Sequence, residues 1–200
     1  AGDIVVIPNG VDGQRFSPEL RTHRTRVRHG FGIPDAVPVF LFCGNGPRRK
    51  GLGYAIEALS KLPPELGARL IVVGDADRDY AADARKRNLG DRVFLLGPRD
   101  SVGEFYGAAD AFVLPTLYDP FPNVCLEAMA SGLPVITTAV TGVAEVITDG
   151  KDSFVVYAGE DRYPHVMVLL ELLADLLQAG QHPLAEGVQH LGPVQGNGGD

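Results

Sequence analysis

Seven short runs of apolar residues recur along the chain: IVVI (4–7), VFLFCG (39–44), RLIVVGD (69–75), RVFLLG (92–97), AFVLPT (111–116), PVITT (134–138) and SFVVY (153–157). Most are apolar at successive positions instead of alternating with polar ones, which predicts strands covered on both faces. Between them lie stretches with helical spacing: GYAIEALSKL (53–62), DYAADARKRN (79–88), VGEFYGAAD (102–110), NVCLEAMAS (123–131) and GVAEVI (142–147). Strand and helix alternate, so the expected architecture is α/β: a parallel sheet with helices on both faces and right-handed crossovers. Ligands of such sheets sit at the carboxyl ends of the strands, which directs attention to the segments that follow each run. Further on, HVMVLLELLADLLQ (165–178) puts Val166, Leu169, Leu170, Leu173 and Leu177 at helical spacing and predicts one more packing helix. The expected domain covers 1–180, and the glycine-rich remainder, 181–200, is expected to be a disordered tail.

Composition narrows the partners. The chain has 200 residues, 45% apolar and 22% charged, enough for one domain or a large part of a two-domain protein. Its 25 acids against 18 bases give a net charge of −7, which argues against a nucleic-acid partner held by phosphate neutralisation. Two cysteines, Cys43 and Cys125, stand among apolar or small residues and predict buried thiols in a reducing compartment. No apolar run approaches the ~18 residues of a membrane span, and the start AGDIVVIPNG has no charged leader, so a soluble domain is expected. Because IVVIPNGV reads as a strand and turn with nothing before it, the chain is expected to be a cut one. The segment QRFSPELRTHRTRVRHG (14–30) carries five arginines and one glutamate. It reads as the solvated face of a linker helix, the alternative being contact with anionic lipid or a phosphorylated acceptor at a membrane surface.

Four strand ends carry candidate chemistry. In CGNGPRRKGLG (43–53), Gly44 and Gly46 permit a tight turn, and Arg48, Arg49 and Lys50 bring three positive charges to a helix start, where a diphosphate would find amides and cations. The dinucleotide fingerprint fails there because position 49 is Arg49 and not glycine; the P-loop pattern fails because no Ser or Thr follows Lys50-Gly51. In GDADRD (74–79) the aspartates suit turns and helix caps better than a metal site. LLGPRDSVGEFY (95–106) predicts a Gly-Pro turn and a helix start at Asp100 or Ser101; Pro98 and Arg99 could form a shelf for a nucleobase or simply a turn.

In YDPFPNVCLEAMASGLPVITT (118–138), Pro120 and Pro122 hold Asp119 and Phe121 out of helix, Asn123 is the expected N-cap, and Gly132-Leu133-Pro134 ends the helix. Glu127 falls one turn into that helix. Loop acid, helix acid and helix N-terminus would then converge on one point, although Glu127 pairing only with helix amides or an arginine also fits.

The segments IPNGVDGQRFSP, GPRRKG, FPNVCL and EAMASGLPVITT, in this order up to about Tyr157, resemble the retaining glycosyltransferases of family four. Within that family, GNGPRRKGLGYAIEALSKLP is most similar to the lipopolysaccharide core glucosyltransferases. The resemblance implies a Rossmann-like domain forming the C-terminal, donor-binding half of a two-domain GT-B fold. It implies transfer of a hexose, expected to be glucose, from UDP-glucose or a related nucleotide sugar to a glycan or lipopolysaccharide core acceptor, with no cofactor and no essential metal.

By the same resemblance, Arg49 and Lys50 would stabilise the departing diphosphate, aided by Gly44 and Gly46 and by amides near Asn123, Val124 and Cys125. Glu127 would accept the ribose hydroxyls, and Pro98 and Arg99 would carry the base. Phe121 and Pro122 belong to the donor loop. Asp119 stands where the family has Glu, near the donor sugar, one methylene shorter. The two acids are thus expected to be binding groups and not a glycosidase pair.

The acceptor, a glycan or lipid-linked glycan, would be held mainly by an N-terminal domain absent from this chain, which alone should bind donor and turn over little. The implied setting is cytoplasmic, with peripheral contact at the inner face of the membrane. A non-catalytic nucleotide-sugar or glycan sensor on the same sheet is the alternative from another class. A dehydrogenase fits poorly, since the third glycine and an acid after the second strand are both missing.

Overall fold

A computed structural model of the chain describes residues 7–149 and 153–156. Six strands form one parallel sheet: β1 (Val39–Cys43), β2 (Arg69–Val73), β3 (Val93–Leu95), β4 (Ala111–Leu114), β5 (Val135–Thr138) and β6 (Phe154–Val156), in the order β3-β2-β1-β4-β5-β6. Every residue of β1, β4 and β5 is buried. Successive strand side chains point to opposite faces, so both faces of the sheet are covered. This is the Rossmann-like α/β fold expected from the unalternating apolar runs. The run at 4–7 falls almost wholly, and the helix expected at 165–178 and the tail at 181–200 wholly, outside the described residues.

Among the described residues six helices accompany the strands: α1 (Arg24–Gly30), α2 (Pro47–Lys50), α3 (Leu52–Lys61), α4 (Arg78–Lys86), α5 (Gly103–Ala108) and α6 (Asn123–Ala130). In α3 the apolar residues Leu52, Ala55, Ile56 and Leu59 share one buried face, the spacing that made this helix legible in sequence. Asp77 caps α4 by accepting from the amides of Asp79 (3.0 Å) and Tyr80 (3.4 Å), the turn-and-cap role expected of the aspartate cluster. Two boundaries differ from expectation. Helix α5 begins at Gly103 behind Val102, not at Asp100 or Ser101, and the stretch at 142–147 forms a 3₁₀ turn, Gly142–Glu145.

The arginine-rich segment is corrected more deeply. A 3₁₀ turn (Pro18–His23) leads into α1, and two of the five arginines, Arg24 and Arg28, turn inward while the others stay exposed. The Arg28 side chain is 0% exposed. Its Nε donates to Ala108 O (2.9 Å), Nη1 to Asp35 O (2.9 Å) and Val37 O (2.8 Å), and Nη2 to Asp110 Oδ2 (2.6 Å). Arg24, one turn earlier, meets Asp110 Oδ1 at 2.7 Å, and the amide of Val39, the first residue of β1, donates to Asp110 Oδ2 at 2.8 Å. Residues four apart share a helix face, so Arg24 and Arg28 reach one acid together. Burial lowers the Arg28 pKa from its usual value while Asp110 opposes the shift. Counting charges along the segment could not reveal a single acid some eighty residues away; Arg15, Arg21 and Arg26 remain exposed.

Candidate functional site

β1 ends at Cys43 and hands the chain to Gly44, Gly46 and the one-turn helix α2, which consists of Pro47, Arg48, Arg49 and Lys50. The lysine folds back over the strand end. A Cβ at position 44 would lie 2.6 Å from Lys50 Cδ and 2.8 Å from its Cε, so the glycine makes room for the lysine stem. Lys50 and Asp119, 8% and 7% exposed, meet at 2.8 Å between Nζ and Oδ2. Arg49 Nη1 reaches the same oxygen at 3.3 Å and donates to Tyr118 O at 2.7 Å.

Backbone contacts bind the two segments further. Arg49 O accepts from the amide of Leu117 (2.9 Å) and from Thr116 Oγ1 (3.0 Å). Asp119 forms a parallel bridge with Thr141, and Pro120 O accepts from the amide of Gly142 at 2.9 Å. Basic turn and acidic loop therefore form one body at the ends of β1, β4 and β5.

Helix α6 starts at Asn123, with Pro122 in the cap position and no capping side chain. Asn123 was the expected cap; Pro122, extended at φ −72° and ψ 110°, occupies that position, and the Asn123 side chain instead accepts from Asn9 Nδ2 at 2.9 Å. The first amides of a helix have no carbonyl of their own helix to bond, and those of α6 follow directly on the loop that carries Asp119. Cys125 is fully buried and its amide already donates to Pro122 O at 3.0 Å, so of the three amides expected to bind phosphate this one is engaged within the helix start. Burial pushes the thiols of Cys43 and Cys125 well above the ordinary cysteine value, which rules out a resting thiolate nucleophile at either position. Phe121 is half-buried and packs close to Gly142.

Glu127 takes neither of its two simpler partners, the helix amides or an arginine. Its Oε2 accepts from Tyr106 Oη at 2.9 Å, and the same hydroxyl lies 3.2 Å from Val124 O. Tyr106, on α5, is fully buried, and its pKa stands well above 10, first through burial and then through Cys43 and Glu127. Sequence reading missed it, because a tyrosine in GEFYGA looks like core. The available signal was that a buried tyrosine hydroxyl needs a partner.

Pro98 and Arg99 are exposed at the end of β3, two strands from β1, or roughly 10 Å at ~4.8 Å per strand. Gly97 O accepts from the amide of Gly74, which joins that turn to the loop after β2. Beside the basic turn a cleft of about 760 Å³ opens, lined by Gly46, Arg48, Arg49, Asp77, Tyr80 and Leu117 among others. Arg48 and Asp77 thus belong to the rim of the site, although the sequence presented them as a helix-start charge and a cap. The structure brings Arg49, Lys50 and Asp119 into direct contact, sets the α6 N-terminus next to them, and places Pro98 and Arg99 apart at the far side of the cleft-bearing loops.

The family described as glycosyl transferases group 1 matches residues 37–175. The D-inositol 3-phosphate glycosyltransferase of Xylanimonas cellulosilytica is 36% identical over 183 residues, 86% of this chain and 43% of that protein. The lipopolysaccharide glucosyltransferase WaaG of Escherichia coli is 35% identical over 148 residues, 72% of this chain and 40% of that one. A crystal structure of WaaG, a glycosyltransferase involved in lipopolysaccharide biosynthesis, superposes with a TM-score of 0.78 at 33% identity, covering 92% of this chain and 50% of WaaG. The chain thus spans about half the length of the solved relative, and somewhat less of the curated ones. With its six-stranded parallel sheet and the match over residues 37–175, the chain belongs to the group 1 glycosyl transferases and has the Rossmann-like fold of the GT-B enzymes.

Proposed function

We propose that this chain is the donor-binding part of a retaining glycosyltransferase that moves a hexose, glucose first among candidates, from a uridine diphosphate sugar to a glycan or lipid-linked glycan acceptor. The observation that carries the reading is the meeting of Arg49 and Lys50 with the start of α6 where the strand order reverses, between β1 and β4. In open parallel sheets the ligand crevice lies at that reversal. Two cations and a helix N-terminus there suit a diphosphate, and they would take up the negative charge that grows on it as the glycosidic bond breaks. Arg49 and Lys50 can neutralise this charge themselves, so the reading needs no metal. Glu127, an acceptor-only group held by Tyr106, suits ribose hydroxyls. Pro98 and Arg99, about 10 Å across the sheet, are at a distance a nucleoside can bridge.

The acceptor assignment leans on the relatives: WaaG is named a lipopolysaccharide glucosyltransferase, which favours an envelope glycan. Among the described residues no helix is long and apolar enough to cross a membrane, and we place the reaction at the cytoplasmic face, where nucleotide sugars and a peripheral enzyme can meet.

Calorimetry with UDP and UDP-glucose tests the donor site. Binding is expected for both, and Lys50→Ala is expected to weaken it at least about tenfold, the worth of a charge-assisted hydrogen bond. No heat at millimolar nucleotide, or an unaltered affinity in Lys50→Ala, overturns the reading. Tyr106→Phe is expected to weaken UDP by about fivefold, ~1 kcal/mol, by releasing Glu127. The same variant should bind inorganic pyrophosphate as the parent does, because pyrophosphate has no ribose. Competition among UDP-glucose, UDP-galactose and GDP-mannose, read by mass spectrometry, identifies sugar and base. Turnover by a longer protein carrying this chain separates a transferase from a sensor.

A further inference from the structure

We infer that Asp119 is a positioning residue that acts on the donor through Lys50; this rests on the nucleotide-sugar reading of the site. The carboxylate is short, buried and already engaged: its Oδ2 holds Lys50 Nζ at 2.8 Å and lies 3.3 Å from Arg49 Nη1. Its backbone has no freedom to carry it elsewhere, being bridged to Thr141 on one side and held by the Pro120–Gly142 hydrogen bond on the other.

Lys50 is steered to the acid as well. Its stem crosses Gly44, where any side chain would occupy the same space, and Arg49 O is fixed by Thr116 and Leu117. Both contacts of Asp119 fall on Oδ2, and a neutral hydroxyl that drew this oxygen away would replace charge-assisted bonds with one about half as strong. An ammonium has three N–H groups, so one can stay on Asp119 while the others meet phosphate oxygens. Asp119 thereby fixes where the charge sits that receives the diphosphate. Without it, Lys50 would swing on four rotatable bonds toward solvent.

The two roles separate by experiment. If Asp119 positions Lys50, Asp119→Asn weakens UDP and UDP-glucose by the same factor, about threefold or more, and neither changes further when Asp119→Asn is added to Lys50→Met. Asp119→Glu, which keeps the carboxylate, is expected to stay within about twofold of the parent for both ligands. A loss confined to UDP-glucose makes Asp119 a sugar ligand and overturns the inference, as does a loss that persists in Lys50→Met. Tighter binding of UDP by Asp119→Asn overturns it too, because the acid would then be withholding Lys50 from phosphate.

A nucleotide-free arm keeps this separate from the function itself. Acylation of Lys50 by an amine-selective N-hydroxysuccinimide ester, read by mass spectrometry against exposed Lys86, is expected to be slow in the parent and at least tenfold faster in Asp119→Asn. An unchanged rate overturns the pairing whether or not UDP binds, whereas absent UDP binding with a faster rate overturns only the nucleotide reading.

Discussion

Replacing Arg28 with alanine is expected to lower the unfolding free energy by roughly 3–5 kcal/mol, the cost of breaking a buried ion pair from one side. The guanidinium is fully buried and serves Ala108 O, Asp35 O, Val37 O and Asp110 Oδ2 together. Alanine leaves three carbonyls without this donor and Asp110 dependent on Arg24 and the Val39 amide. Lysine cannot restore the set, since one ammonium does not reach in four directions as a planar fork does; Arg28→Lys should recover less than half the loss. Arg26 provides the contrast: it pairs with Glu104 at 2.7 Å but its side chain is 66% exposed, and Arg26→Ala should cost under about 1 kcal/mol. Urea denaturation followed by far-UV circular dichroism measures all three. Equal effects for Arg28→Ala and Arg26→Ala would contradict the buried clamp. Since domains are typically stable by only 5–15 kcal/mol, Arg28→Ala should also shorten the life of the protein in a cell.

Gly51→Ala is expected to damage fold and site together. The residue separates α2 from α3 at φ +82°, and a Cβ there would lie 1.9 Å from Pro115 O and 2.7 Å from Pro115 C. The left-handed backbone alone costs an L residue about 1 kcal/mol. The collision is worse, because Pro115 has nowhere to go: it follows β4, and the next residue is held by Thr138 Oγ1 donating to Thr116 O at 2.7 Å. The helices must instead lift away from the strand end, which separates Arg49 O from Thr116 and Leu117 and pulls Lys50 off Asp119. We expect a loss above about 3 kcal/mol, as for other overpacked positions, and no UDP binding at concentrations that saturate the parent. Gly53→Ala, two residues on, meets nothing within 4 Å and lies inside α3, so it should be neutral or stabilising by up to ~1 kcal/mol. Thermal melts give the stability, and calorimetry on the folded fraction gives the binding.

How far the sequence carries the structure depends on the range of the forces involved. β1 and β4 were legible because a strand buried on both faces is apolar at every position, a property of consecutive residues, and β2 is apolar at all but its first. Asp77 as a cap was legible for the same reason, since its partners are two and three residues away. The ingredients of the site, Arg49, Lys50, Asp119 and Glu127, were recognisable by type and by their place after strands. Their partners were not, because Lys50 and Asp119 are 69 positions apart and Tyr106 and Glu127 are 21 apart. Asp119, legible as an acid after a strand, gave no sign in sequence that it holds Lys50. The arginines of α1 looked solvated because a local count of charge contains no information about Asp110. At α6 a short-range rule failed: Asn123 is a strong cap residue, but Pro122 just before it already has the extended backbone that a cap requires.

The strand order has one further consequence. β1 and β4 are neighbours in the sheet, yet their ladder pairs only Phe40 with Ala111 and Leu41 with Phe112. Strands β3-β2-β1 and β4-β5-β6 are thus two sequential three-strand leaves joined along a short seam, fastened at its base by Arg28 on Asp110 and at its top by Lys50 on Asp119. A nascent chain can close the first leaf before the second has left the ribosome, but Lys50 meets Asp119 only when the seam zips. A nucleotide that bridges the top fastening would then bind only the zipped form and stabilise it by mass action. On the donor reading proposed above, nucleotide supply would then bear on how long the fold lasts.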